Sequence, residues 1–173
     1  LHLLSLEEQK RLCRSWINGE APGTAVSWHP YPTSLRIVNW CRANLRDDNV
    51  QQSLYRQAAY LYRHLETHVM GNHLLENARA LVYAGIFFGE QGEAERWLDR
   101  GLQIYRDETP EQILPDGGHY ERSPMYQALV LEGYLDVCNL LPDGHPDRSW
   151  VEDTTVSMME ALRSLTHPNG RLA

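Results

Sequence analysis

The sequence predicts an all-α protein. Apolar residues recur at the three-to-four-residue spacing of a helix along most of the chain, and the alternation typical of strands is nearly absent. Two helix starts support this interpretation. Ser5 and Glu8 match an S-x-x-E capping box, and Ser123 followed by Pro124 is the preferred order at a helix N-terminus.

The first three helices are each predicted from one apolar stripe. The first begins at the capping box and continues through Leu12 and Trp16 over residues 5–17. The second and third are predicted at residues 34–45 and 50–69. Their stripes contain Leu35, Val38, Trp40 and Cys41, and Leu54, Ala58, Leu61 and Leu65, respectively.

The fourth helix, residues 73–88, is apolar on most sides and is therefore expected to be the most buried. Three further helices complete the prediction, and the sixth begins at Pro124 directly after its N-cap residue. They cover residues 93–107, 124–140 and 148–166. Short connections predict that consecutive helices pack as antiparallel neighbours.

Composition limits the kinds of protein that this chain can be. Its 173 residues, 42% of them hydrophobic, are enough for one well-buried domain, so residues 1–173 are predicted to form a single unit. The net charge of −7 argues against a general nucleic-acid binder, and no apolar run approaches the 18 residues of a membrane span. Because the sequence begins at Leu1 and ends at Ala173 just after a predicted turn, we expect it to be a piece of a longer protein.

The connections differ between the two ends of the predicted bundle. If helix direction alternates, the links after helices two, four and six are ordinary polar turns at one end. The links at the other end are rich in aromatic, His and Arg residues, and the N-termini of helices two, four and six point the same way. A concave, locally positive mouth is predicted there. Four histidines fall at this end: His29, His73, His119 and His167.

Asn72 and Tyr126 are candidate catalytic residues at this mouth. Asn72 opens the fourth helix and Tyr126 lies in the first turn of the sixth, so both are expected at the same end. A Tyr near Arg residues and helix N-termini can transfer a proton, and an amide beside it can bind a carboxylate. The alternative is structural, because Asn is a common N-cap residue and a Tyr in a first helical turn is often simply packed.

Two other chemistries are open on spacing alone. His64 and His68 stand four apart on the predicted third helix and could share a metal, although Leu65 occupies the position where the thermolysin-type motif has Glu. Glycoside hydrolysis would need a pair of carboxylates. The candidates are Asp116, Glu121 and Glu76. The structural alternatives are that Asp116 is a turn residue and that Glu76 forms an ion pair with a neighbour.

Two long motifs resemble the N-terminal domain of heparinase II/III-like polysaccharide lyases. The first is Gly71-Asn72-His73-Leu74-Leu75-Glu76-Asn77, and the second runs from Gln112 through Leu114-Pro115-Asp116-Gly117-Gly118-His119-Tyr120-Glu121-Arg122 to Tyr126. Residues 28–31, 36–40 and 166–172 look like the same domain. The resemblance covers the chain from about residue 26 to its end. It departs from the family at Gln127, where a His often follows the Tyr.

The resemblance implies a fold and a reaction. The fold is an incomplete α/α toroid that is followed by a β-sandwich domain in the complete protein. The reaction is β-elimination at a uronic acid of an acidic polysaccharide, with Asn72 neutralising the carboxylate and Tyr126 acting as base, acid or both. Substrate-binding candidates are His73, Trp28, His29, Tyr31, Arg36, His119, Tyr120 and Arg122.

The same resemblance sets expectations about partners. An acidic polysaccharide is the expected substrate, the location is expected to be periplasmic or secreted, and no cofactor or metal is expected in this chain. Since further catalytic His and Tyr residues of such lyases lie in the β-rich domain, this chain alone is expected to be inactive or nearly so. The alternatives are a non-catalytic carbohydrate-binding or interaction scaffold and a carboxylate-pair glycoside hydrolase.

Overall fold

The computed structural model describes residues 3–20, 23, 25–69 and 71–172. Within these ranges the chain forms seven α-helices, a short 3₁₀ turn at Val26–Trp28, and two isolated β-bridges in place of any strand. The all-α prediction is thus confirmed. The helices are α1 (Leu6–Gly19), α2 (Pro30–Ala43), α3 (Asp48–Arg63), α4 (His73–Phe88), α5 (Ala94–Gln112), α6 (Pro124–Leu140) and α7 (Arg148–Ser164).

Helix α4 is the centre of the fold. Thirteen of its 16 residues are buried, as predicted from its apolar sequence, and it packs against α2, α3, α5 and α6. One apolar core lies between α4, the first three helices and the start of α5, and a second lies between α4 and the last three helices. Two glycines allow the close approach of α5: Gly85 lies against Leu98, and Gly101 lies against the backbone of Ala78.

The predicted capping box and the predicted start of α6 are confirmed, although the side chain of Ser123 makes no capping hydrogen bond. The Ser5 side chain accepts from the backbone N–H of Glu8, and the Glu8 carboxylate accepts from the backbone N–H of Ser5, which completes the capping box. Helix α6 begins at Pro124, after Ser123. These features depend only on residues that are close in sequence, which explains their predictability.

Three predicted boundaries are wrong by four residues or more, while the others agree within two residues. Helix α2 begins four residues early, at Pro30, because Pro30 and Pro32 occupy its first turn, where backbone N–H groups have no partner within the helix. Helix α3 ends at Arg63, so residues 64–69 belong to the connection to α4. Helix α5 continues through Pro110 to Gln112 and therefore shortens the next connection.

Candidate active site

The N-terminal ends of α2, α4 and α6 meet and bring together four of the predicted site residues. The ring of Tyr31, in the first turn of α2, stacks on His73 with 4.4 Å between the ring centroids. Asn72 occupies the N-cap position of α4, but its side chain does not cap the helix and lies beside Tyr31. Tyr126, half-buried in the first turn of α6, is close enough for its charge to affect Tyr31. This set is called the tyrosine–asparagine cluster below.

The environment keeps Tyr31 protonated. Burial and the nearby Glu76 carboxylate raise the pKa of the Tyr31 phenol, while the neighbouring Asn72 amide acts in the opposite direction. At neutral pH the Tyr31 hydroxyl is therefore a hydrogen-bond donor. Asn72, which is 8% exposed, can offer amide N–H groups beside it.

A partly buried ion-pair network fixes the three helices below the cluster. Arg79 of α4 donates to Glu76 at 3.0 Å, to Asp136 of α6 at 2.6 Å and to Glu132 of α6 at 2.8 Å. Arg42 of α2 donates to both oxygens of Asp136 at 2.6 Å. Burial opposes the charge of Arg79, but Glu76 and Asp136 raise the pKa of its guanidinium.

The network also shows that α2, α4 and α6 run parallel. Tyr31, Asn72 and Tyr126 lie at one level, and Arg42, Tyr83 and Asp136 are joined by hydrogen bonds at a second level, ten or eleven residues further along each helix. At about 1.5 Å of rise per residue, the two levels are roughly 15 Å apart. The three N-termini therefore point to the same side, and their dipoles favour an anion there.

Glu76 lies one turn inside the cluster and is only 8% exposed. Burial raises the pKa of this carboxyl group, although its pairing with Arg79 lowers it in part. One oxygen, Oε1, accepts from Arg79, and the other, Oε2, is buried without a partner. The ion-pair role that was the structural alternative for Glu76 is thus observed.

A second group of predicted residues lies on the connection between α5 and α6. His119 is 2% exposed, and its Nε2 is 3.1 Å from the side-chain oxygen of Gln112. Burial lowers the pKa of His119, with a smaller opposing effect from Glu121. Tyr120 is half-buried, and Arg122 is exposed with a positive φ of 52°.

His119 and Arg122 line a cleft of about 520 Å³ between this connection and the end of α7. The side chain of Gln127 holds the connection between α5 and α6 in place. Its side chain accepts from the backbone N–H of His119 at 2.5 Å and donates to the carbonyl groups of Gly117 and Met158, each at 3.0 Å. Gln127 thus fastens the connection to α7.

Trp28 and Arg36 were predicted to contact sugar, but both side chains are directed into the protein. Trp28 is 3% exposed and packs against Trp16 and Tyr60, so its ring offers no face to a sugar. Arg36 donates to Gln57 at 2.6 Å and to the carbonyl of Ser27 at 2.7 Å, and its guanidinium lies 3.9 Å from the Trp16 ring centroid.

Burial lowers the pKa of Arg36 to about 10, and Arg36 serves the fold. Arg36 is turned inward and adds no positive charge at the mouth, where the Glu66 and Glu76 carboxylates lie. The prediction of a mouth made positive by several arginines is therefore not supported. His29, by contrast, is exposed just before α2.

The metal-site alternative is not supported. His64 follows the end of α3, its ring stacks on Tyr60, and its Nδ1 is 2.8 Å from the carbonyl oxygen of Tyr60. His64 and His68 therefore do not share a helix face, and the described part of the chain contains no group of three or more His, Cys, Asp or Glu residues placed to hold a metal. Asp116 accepts from the backbone N–H of Gly118 at 2.9 Å, as a turn residue does.

Some residues around the cluster were missed by sequence reasoning. Arg79, Asp136 and Arg42 are separated by tens of residues, and nothing in their local pattern signals that they meet. Glu66, which lies 3.3 Å from His73, was assigned to the third helix and actually belongs to the connection before α4. Glu66 reaches His73 because α3 ends at Arg63, before the predicted end at residue 69.

Comparison with known proteins identifies the family. Residues 43–162 match the family described as Heparinase II/III N-terminus. The chain belongs to the heparinase II/III family. The matched range contains Asn72, His73 and Tyr126, while Tyr31 lies before it.

Relatives and solved structures agree with this assignment. The chain is 26% identical over 133 residues to a heparin-sulfate lyase of Bacteroides stercoris, covering 72% of this chain and 20% of the relative. It is 28% identical over 120 residues to one of Pedobacter heparinus, covering 68% and 18%. The chain thus spans about a fifth of the length of these relatives.

The fold agrees with crystal structures of heparinase II/III family members. A structure of heparinase III matches with a TM-score of 0.74 at 24% identity, covering 95% of this chain and 28% of that one. A heparan sulfate lyase of Pedobacter heparinus matches with a TM-score of 0.69 at 21% identity, covering 96% and 29%. The chain is therefore an incomplete α/α toroid, as predicted. Among the described residues, no helix is long and apolar enough to cross a membrane.

Proposed function

We propose that this chain forms the helical part of the active site of a polysaccharide lyase that cleaves a uronic-acid-containing polysaccharide of the heparan sulfate type. The observation that carries the proposal is the tyrosine–asparagine cluster at three parallel helix N-termini. The substrate class follows from the relatives, which are named heparin-sulfate lyases.

The reaction that fits this cluster is β-elimination. A base removes the proton at C5 of the uronic acid, the electron pair forms the C4–C5 double bond, and the C4–O bond breaks. The C5 proton is weakly acidic while the adjacent carboxylate is charged, because removing the proton adds negative charge next to it. Hydrogen-bond donors at that carboxylate therefore stabilise the transition state more than the ground state.

The residues take distinct parts in this scheme. The Asn72 amide donates to the carboxylate, with His73 beside it, and the helix N-termini add positive potential at low cost. Tyr126 exchanges the proton, as base at C5, as acid at the departing oxygen, or as both. Tyr31, held protonated by its surroundings, provides a further donor next to Asn72.

We infer that the chain alone is inactive or nearly so, since it spans about a fifth of its relatives and the resemblance assigns further catalytic groups to a β-rich domain. An acidic polysaccharide and that domain are the expected partners. A periplasmic or secreted location fits such a substrate. The cleft beside His119 and Arg122 lies at the same end of the molecule and offers polar groups to further sugar units.

One assay on the complete protein tests this function. The protein is incubated with heparan sulfate, other uronic-acid polysaccharides and a neutral polysaccharide, and ultraviolet absorbance is followed. A lyase produces an absorbing unsaturated uronate from the acidic substrates. Chain cleavage without new absorbance would identify a hydrolase, and binding without cleavage would identify a carbohydrate-binding scaffold. Either result would contradict the proposal.

A further inference from the structure

A chain of hydrogen bonds leads from α2 to His73 at the proposed active site. The hydroxyl of Ser34 donates to the carbonyl of Pro30 at 2.8 Å, and it accepts from the side-chain NH₂ of Asn77 at 3.1 Å. The same NH₂ group donates to Oε2 of Glu66 at 3.2 Å. Oε1 of Glu66 lies 3.3 Å from Nδ1 of His73.

The partners of Asn77 determine the orientation of its side-chain amide. The backbone N–H of Glu66 donates to Oδ1 of Asn77 at 2.9 Å, so the oxygen of the Asn77 amide is fixed on that side and its NH₂ must face the Glu66 carboxylate. Asn77 and Ser34 are both fully buried. The Glu66 side chain, 12% exposed, is therefore held by Asn77 in a single position.

A carboxylate in this position can only accept a hydrogen bond. Nδ1 of His73 must then carry a proton and donate a hydrogen bond to Glu66, which leaves Nε2 of the neutral ring unprotonated. Stacking on Tyr31 fixes the plane of the ring. Tautomer and orientation of a histidine are generally set by such a partner at the second ring nitrogen.

We propose that Glu66 is a positioning residue that fixes the Nδ1–H form of His73, so that Nε2, the unprotonated nitrogen of the neutral ring, faces the sugar as a hydrogen-bond acceptor. This role rests on the proposed function, because His73 meets substrate only if the tyrosine–asparagine cluster is the active site. Glu66 itself touches no reacting atom. It acts through His73, as Asn77 acts through Glu66.

The substitution Glu66→Gln separates a positioning role from a structural one. Gln has the same size, but one of its two terminal atoms is an NH₂ group. Because Asn77 presents its own NH₂, the new amide oxygen must face Asn77, and the new NH₂ then faces Nδ1 of His73. Nδ1 becomes an acceptor, and the neutral ring changes to the Nε2–H form.

Nitrogen-15 NMR of labelled histidine measures this change directly. Spectra of the complete protein are recorded about 1.5 pH units above the ordinary imidazole pKa of about 6.5, where histidine is mostly neutral. His73→Gln, which lacks the signal, assigns it. The Nδ1–H form is expected to predominate in the wild type and in the control Glu111→Gln, which changes an exposed glutamate of α5. Glu66→Gln is expected to lose that predominance.

Two results would overturn the proposal: an Nε2–H form in the wild type, or an Nδ1–H form that persists in Glu66→Gln. The wild-type measurement decides the question even if the variant fails to fold. In the complete protein, Glu66→Gln is expected to lower kcat at least about ten-fold because the ring has the wrong tautomer. Unchanged kcat also counts against it. Absence of any lyase activity in the wild type would refute the proposed function and leave the NMR test of Glu66 intact.

Discussion

Arg79 and Asp136 join the helix that begins beside Asn72 to the helix that contains Tyr126. Nε of Arg79 donates to Oδ2 of Asp136 at 2.6 Å, and the two side chains are 6% and 13% exposed. The same arginine pairs with Glu76 next to the cluster. This relationship fixes α4 against α6 and thereby sets the separation of the two proposed catalytic residues.

Replacing Arg79 with Met is expected to lower the free energy of unfolding by about 3–5 kcal/mol, because Glu76 is left as an unpaired buried carboxylate. The control is Arg63→Met, which removes an exposed pair with Glu93 at 3.4 Å and is expected to cost no more than about 1 kcal/mol. Urea unfolding measures both. Equal losses in the two variants would show that the Arg79 network contributes no more to stability than an exposed ion pair does.

Replacing Gly101 with Ala is expected to destabilise the protein by about 1–3 kcal/mol, although Ala favours helices. A Cβ atom at Gly101 would lie 2.8 Å from the carbonyl oxygen of Ala78 and 3.1 Å from the backbone N of Val82, so α5 would have to move away from α4. In Gly19→Ala the added atom meets nothing within 4 Å, and a gain of about 0.4–1 kcal/mol is expected. A stabilised Gly101→Ala variant would contradict the tight packing of α4 on α5.

Asp147 is expected to make stability depend on acid pH. Hydrogen bonds from Arg106 at 2.7 and 2.5 Å lower the pKa of the Asp147 carboxyl group, against the opposing effect of burial, and Trp150 lowers it further. The folded-state pKa is therefore below the unfolded value of about 3.9. The contribution of Asp147 is complete above that value and is lost as the pH falls through the folded-state pKa.

The variant Asp147→Asn tests this dependence. Its deficit in the free energy of unfolding is expected to be about 1.5–3 kcal/mol at neutral pH and to shrink steadily below about pH 4. Urea unfolding across a pH series measures it. Asp143→Asn, at a carboxylate that is 99% exposed, should show almost no deficit at any pH. A deficit for Asp147→Asn that grows as the pH falls would mean that the sign is wrong.

Arg36→Ala is expected to cost about 2–3 kcal/mol of stability, because its hydrogen bonds to Gln57 and Ser27 and its stacking on Trp16 are lost together. Arg36→Lys should recover little, since one ammonium group cannot replace the planar fork. Arg11→Ala, at an exposed position of α1, is the control and should change stability by less than about 0.5 kcal/mol. Unchanged stability of Arg36→Ala with weaker polysaccharide binding would restore a substrate-binding role.

Tyr126→Phe in the complete protein is expected to lower lyase activity by about 10²–10⁴-fold, because the proton-transferring hydroxyl is removed. The fold should be retained, as the thermal unfolding midpoint would show. Tyr62→Phe changes a partly buried tyrosine of α3 that packs against the first core, and should keep its activity. Full activity of Tyr126→Phe would exclude Tyr126 as the acid or base.

The sequence determined the features that depend on near neighbours. The capping box at Ser5, the start of α6 at Pro124 and the burial of α4 each follow from residues within one or two helical turns. The two long motifs were sufficient to indicate the family. The alternation of helix direction, which short connections impose, also placed Asn72 and Tyr126 at the same end of the molecule.

Only the tertiary structure decided which side chains contact one another. Trp28 and Arg36 are polar or aromatic residues near the mouth in sequence, yet packing against Trp16 turns both inward. The contact of Glu66 with His73 required α3 to end at Arg63, and the pairing of Arg79 with Asp136 joins residues 57 positions apart. Periodicity and capping energies act over three or four residues, whereas these contacts depend on how whole helices pack, which no local pattern encodes.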